Sequence, residues 1–91
     1  MKTKIIHVKQ EHIDAGTRIC AGRCPMSLAI KEQVECYHVT VAYGHVRFYA
    51  PDKRVESYAI LPRSANRFVK NFDLFRAVAP FRFRLKREAA Q

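Results

Sequence analysis

The stretch Phe81-Arg82-Phe83-Arg84-Leu85-Lys86 constrains this chain more than any other. Apolar and basic residues alternate with a period of two, the mark of a strand with one buried face and one solvent face. Phe81, Phe83 and Leu85 point into a core. Arg82, Arg84 and Lys86 stand in a row on the other side, and Arg87 extends the charge. Charge on the open side of an antiparallel sheet is ordinary surface chemistry, so the row is a candidate binding face that must be weighed against a merely solvated one.

The elements before that strand follow from apolar spacing and punctuation. Lys2 to Val8 reads as a first strand, with Ile5, Ile6 and Val8 as its apolar content. Glu11 to Ala15 reads as one helical turn, with Gly16 as its stop. Thr17 to Arg23 is loop. Pro25 stands where a first helical residue belongs, since its missing N–H has no partner there anyway. Met26, Ala29, Ile30 and Val34 follow at helical spacing, widened by Leu28, which predicts a helix from Pro25 to about Glu35.

Tyr37 to Tyr43 alternates, with Tyr37, Val39, Val41 and Tyr43 on one face. Gly44 turns the chain into a partner strand over Val46 to Ala50, and Pro51-Asp52-Lys53-Arg54 is a second turn before a strand from Val55 to Leu61. Pro62 marks another helix start. Ala65, Phe68, Val69 and Phe72 fall at i, i+3, i+4 and i+7, with Arg63, Arg67 and Lys70 on the opposite face. Glu88 to Gln91 reads as a frayed tail.

Residues 1–91 are thus expected to form a single α+β domain. Its sheet has four or five mostly antiparallel strands, with two helices packed on one face. The central helix-strand-strand-strand-helix order resembles the double-stranded-RNA-binding fold, but the hairpin leaves little room for the loop such domains insert into a groove. A chain of 91 residues buries only about 60–65% of its unfolded surface, so the core is thin and its Phe side chains carry much of it. No apolar run is long enough to span a membrane, and Met1-Lys2-Thr3-Lys4 lacks the apolar stretch a signal peptide needs. Three cysteines, an odd number, suit a cytoplasmic protein better than a disulfide framework.

Charge is the strongest global signal. The net charge is +9, and it is lopsided. Residues 1–45 hold six Lys and Arg against four Asp and Glu, whereas residues 46–91 hold eleven against four. A domain so biased is drawn to polyanions and cannot act as an acidic mimic of DNA. If the two apolar stripes pack together, Arg82, Arg84 and Lys86 face one way and Arg63, Arg67 and Lys70 another. The turn residues Lys53 and Arg54 add further positive charge. Tyr43 and Tyr49 lie near the hairpin, where stacking on bases competes with the commoner role of filling a thin core.

Enzymatic chemistry has no comparable pattern. Gly16, Gly22 and Gly44 form no phosphate loop, the acidic residues lack the clustering a metal nuclease needs, and no helix-turn-helix is present. Cys20, Cys24 and Cys36, with His7, His12, His38 and His45, are the candidate zinc ligands, but only Cys20-x3-Cys24 is a close pair. The preferred reading is small buried thiols around a loop, with no cofactor. Cys24 at a helix start would have its thiol pKa lowered by the helix N-terminus.

The residues His12-Ile13 with Gly16, Cys24-Pro25-Met26-Ser27-Leu28-Ala29-Ile30, Leu61-Pro62, Phe68-Val69-x-x-Phe72-Asp73 and Pro80-Phe81-x-Phe83-x-Leu85 resemble a family of short phage and prophage proteins. The chain departs from that pattern at Cys20, one residue farther from Cys24. In size and charge it also resembles small anti-CRISPR proteins that inhibit type I surveillance complexes. These resemblances imply a non-enzymatic inhibitor of a host protein–RNA complex, touching guide-RNA phosphates and adjacent protein. A free-standing DNA- or RNA-binding phage protein is the alternative, and a small zinc-binding interaction module the next. Neither a membrane nor a small-molecule substrate is expected as a partner.

Overall fold

In the computed structural model, which describes residues 2–89, the alternating stretch lies within a strand from Phe81 to Ala89, β5. It pairs on one side with β1 (Lys2–Val8) and on the other with β4 (Val55–Ile60). β4 pairs with β3 (His45–Tyr49), and β3 with β2 (His38–Ala42). All the pairings are antiparallel and the strand order is β1-β5-β4-β3-β2. The helices are α1 (Gln10–Ala15), α2 (Pro25–Gln33) and α3 (Arg63–Asp73).

Strand periodicity sorts the side chains as expected. Ile6, Val8, Phe83, Leu85, Ala59, Val46, Phe48, Val39 and Val41 form one buried cluster with Met26, Ala29 and Ile30 of α2 and Ala65, Phe68, Val69 and Phe72 of α3. α2 touches both β1 and β2, the two edges of the sheet, so the sheet curls around it. This explains why Pro25, Met26, Ser27, Ala29 and Ile30 are all buried, a wider arc than a surface helix buries. α3 lies across the end of the sheet where β5 begins. The Phe68 ring sits 4.8 Å from Phe81, and the Gly44 N–H of the β2–β3 turn donates to Asn66 Oδ1 at 2.6 Å.

Each sheet edge is pinned at one residue by a neighbouring segment, which blunts it as a template for unwanted strand pairing. The Gln33 carboxamide accepts from the His7 N–H at 2.8 Å and donates to the His7 carbonyl at 2.7 Å. On the other edge Val41 N–H donates to the Ala21 carbonyl. That carbonyl also accepts from the Ser27 hydroxyl, which tethers the 17–24 loop to α2. α1 is joined to α2 through buried His12. Its Nδ1 accepts from the Lys9 N–H at 2.9 Å, so Nε2 carries the proton and donates to Glu32 at 3.1 Å. That bond, with Lys9 nearby, holds the Glu32 carboxyl below its usual pKa.

Several boundaries differ from the sequence reading. β4 stops at Ile60, short of Leu61, and α2 stops at Gln33 rather than near Glu35 because Val34 is already extended. Gly16 is not a left-handed helix stop, since its φ is −72°. It is required because a Cβ there would lie 2.6 Å from the Pro25 ring. Tyr37 and Tyr43 lie just outside β2 and are 60% and 59% exposed, so they do not share the core face of Val39 and Val41. Glu88 and Ala89 are not a frayed tail: they continue β5 and pair with Tyr58 and Ser57. Ala90 and Gln91 lie outside the described residues.

Candidate polyanion-binding surfaces

The outer face of the sheet is uncovered, and among the described residues none of its side chains is buried. Arg82, Arg84 and Lys86 stand on it in a row along β5, all exposed. Residues two apart in a strand are separated by about 6.6–6.8 Å, a spacing comparable with that of successive phosphates. Their neighbours on β1 are His7, Ile5 and Thr3, so no carboxylate stands opposite them. Among the described residues none of the three has a salt-bridge partner. Glu88 follows on the same face and ends the row next to Tyr58.

Arg87 does not extend this row. The period of two turns it to the inner face, where its guanidinium lies over the Phe48 ring at 4.4 Å. Its Nε donates to Ser57 Oγ at 2.6 Å and its Nη1 to the Glu35 carbonyl at 3.1 Å. It is a structural cation, and its expected place in the binding row is corrected accordingly. In its stead the structure offers Arg47, exposed on the outer face of β3 between Thr40 and Tyr58. The alternation Val46-Arg47-Phe48 contained this signal, but a single cation between two apolar residues does not announce itself as part of a surface.

The second basic surface is on α3. Arg63, Arg67 and Lys70 share its exposed side and line a groove of about 630 Å³ with Tyr43, Asn66 and Leu74. The core lies between this surface and β5, since the apolar residues of both elements point into one cluster. An apolar and aromatic constellation adjoins it, built from the end of α3 and the 17–24 loop. Ile19 and Phe75 are 80% and 75% exposed, and both have left-handed backbones, at φ 53° and 61°. Arg18 is sandwiched between the Phe72 and Phe75 rings at 4.5 and 4.4 Å, and its Nε donates to the Phe72 carbonyl. Asp73 accepts from the Ile19 N–H and the Tyr43 hydroxyl, tying the 17–24 loop and the β2–β3 turn to the end of α3.

The turn cations separate. Arg54 is held by Asp52, which accepts from its N–H at 3.0 Å and lies 3.9 Å from its Nε. Lys53 is exposed in a left-handed conformation, at φ 70°, and points to a groove beside β2. There the Thr40 hydroxyl donates to the Tyr49 oxygen, and with the Arg47 guanidinium near by it holds the Tyr49 phenol below its usual pKa.

The thiols are not assembled into a metal centre. Among the described residues, the three-residue group whose ligand atoms gather within 4.8 Å is Glu11, His12 and Glu32, and both nitrogens of that histidine are already engaged. Cys20, Cys24 and Cys36 are each free. Cys24 caps α2, its sulfur accepting from the Ser27 N–H at 3.4 Å. The expected lowering of its pKa is not found: burial pushes the thiol up despite the helix N-terminus. Burial also raises Cys36.

No family model, curated protein or solved structure matches the chain. No helix among the described residues is long and apolar enough to cross a membrane.

Proposed function

We propose that this protein is a non-enzymatic inhibitor that binds a host nucleoprotein complex, laying the β5 row on RNA phosphates and setting the α3 surface against adjacent protein. The carrying observation is the row of Arg82, Arg84 and Lys86, unpaired on an open sheet face with no carboxylate opposite. Three cations in line give strong, salt-sensitive and sequence-independent contact with a phosphate backbone. The α3 surface differs in chemistry. Its cations adjoin exposed Phe75, Ile19 and Leu74, the mixture of aromatic, aliphatic and Arg side chains that protein interfaces favour. A ligand touching both surfaces must reach around the core, which suits an assembly of RNA and protein better than a lone duplex. The anti-CRISPR resemblance in size and charge makes an RNA-guided defence complex the target of choice, with exclusion of target nucleic acid as the means.

Tagged protein drawn from host lysate, with and without nuclease, tests this reading. A defined multi-subunit complex that survives nuclease, and that R82Q/R84Q/K86Q fails to retain, is the expected result. Nucleic acid alone, lost on nuclease treatment, would indicate a free-standing nucleic-acid-binding protein instead. Undiminished retention by the triple variant would overturn the assignment of the β5 row.

A further inference from the structure

Beside the outer edge of β2 lies a groove of about 700 Å³ whose lining has no carboxylate. Lys31 comes from the exposed side of α2, Tyr37 from the segment before β2, His38 and Thr40 from β2, Tyr49 from β3 and Lys53 from the following turn. Three rings therefore converge with two cations. His38 and Tyr49 are direct cross-strand partners, with ring centroids 5.8 Å apart and planes tilted by 45°. Tyr37 is 60% exposed, and no ring stacked on it is found among the described residues. The size falls within the roughly 300–1,000 Å³ of small-ligand sites.

An adjoining cavity of about 680 Å³ shares Tyr37 with this groove but sets Glu35 and Glu56 against Lys4 and Arg87, so its charge is mixed. The α3 groove offers one ring, Tyr43.

We propose that the groove beside β2 holds an unpaired nucleotide of a single-stranded nucleic acid, its base stacked on Tyr37 and Tyr49 and its flanking phosphates met by Lys31 and Lys53. The inference rests on the reading of the outer sheet face as a phosphate-binding surface. Every base has a π-face, so aromatic stacking combined with a cationic track binds single strands with little sequence preference. A base paired within a duplex is stacked on its neighbours and cannot enter. His38, Thr40 and Tyr49 alternate with the core residues Val39, Val41 and Phe48, so they stand on the same outer face as the basic row. β3 and β4 lie between β2 and β5, a distance of about 14 Å at ~4.8 Å per strand. Arg47 and Tyr58, cross-strand partners on the outer face, occupy the gap. A single strand crossing the sheet from the cations of β5 passes Arg47 before it reaches the rings, and it must run on the Lys86 side of Glu88, the carboxylate opposite Tyr58.

The absence of tryptophan makes the four tyrosines the fluorescent reporters of this protein. Oligouridylate, oligothymidylate and a DNA duplex carrying the same number of phosphates are titrated against the full chain. The single strands are expected to bind more tightly than the duplex and to quench tyrosine emission. A preference for oligouridylate over oligothymidylate would identify RNA as the natural strand, and the reverse would identify DNA. Y37L and Y49L should each weaken single-strand binding roughly 5- to 150-fold while leaving duplex binding unchanged, and Y37F and Y49F should restore it. Duplex binding as tight as single-strand binding, or leucine variants that bind like the parent, would overturn the inference. R82Q/R84Q/K86Q separates the two readings. If it weakens single strand and duplex alike while the tyrosine variants are silent, the phosphate face stands and the stacking groove falls. If no oligonucleotide binds at all, both fall.

Discussion

Cys24 caps α2 with its sulfur and fills a place in the core, and the two roles pull its chemistry in opposite directions. The helix N-terminus and the Ser27 hydrogen bonds favour the thiolate, while burial disfavours it and prevails. The protonated thiol is therefore the folded form. Because its pKa is raised on folding, the stability it contributes is complete below the ordinary value of 9.0 and is lost as pH rises through the folded value. In a thiol titration at neutral pH, half-buried Cys20 should react before Cys24, and Cys24 should follow only with unfolding. Early modification of Cys24 in folded protein would contradict this. Arg87 shows the same dependence on position. Its neighbours in sequence are surface cations, yet it donates to buried Ser57 and to the Glu35 carbonyl. R87Q should cost about 1.5–3 kcal/mol, the usual worth of hydrogen bonds from a charged donor. R84Q should stay within about 0.5 kcal/mol. Equal midpoints in urea unfolding would show that Arg87 is no more structural than the row beside it.

The elements stand or fall with a few aromatic side chains. Phe68 of α3 and Phe83 of β5 are both buried in the common cluster, and the Phe81 ring lies close to each. Truncating either removes burial and leaves a cavity, so F68A and F83A should each cost about 3–5 kcal/mol. In a domain holding roughly 5–10 kcal/mol this approaches unfolding. Unchanged thermal midpoints would mean that the stripes are wrongly assigned. These stripes were legible in the sequence because i, i+3, i+4, i+7 spacing and strict alternation admit one buried face each. The ends of elements were not. Tyr37 and Tyr43 keep the phase of Val39 and Val41, but β2 stops before reaching either, so phase no longer dictates burial. The pairing of Glu88 and Ala89 with β4 was invisible for a related reason: a non-local partner, not local composition, extends the strand. Gly16 was read for its conformation, yet its constraint is the approach of Pro25, which only tertiary structure creates.

At the scale of the whole molecule the question is whether the positive charge is one field or two surfaces. The β5 triple was legible from the alternating stretch alone. The cation-and-tyrosine groove was not, because α2, the β2 edge and the β3–β4 turn contribute to it from distant parts of the chain. R82Q/R84Q/K86Q and R63Q/R67Q/K70Q remove the same number of charges from opposite sides of the core. Both should leave the fold nearly intact, since exposed substitutions away from special features stay within about 0.5 kcal/mol each, and in a domain of net charge +9 the removal of cations even relieves self-repulsion. A long-range field would respond to the two triples equally. Direct pairing with phosphates would not: the β5 triple should lower the log–log salt slope of oligonucleotide binding by about 0.7–0.9 for each phosphate left unneutralised. The α3 triple should change that slope little and instead weaken capture of the nucleoprotein complex, where its cations adjoin Phe75 and Ile19. Equal slopes for both triples would mean that net charge alone drives association and that neither surface is a site. A flattened slope for the β5 triple, together with failed complex capture for the α3 triple, is the pattern that a protein wedged between RNA and protein must produce.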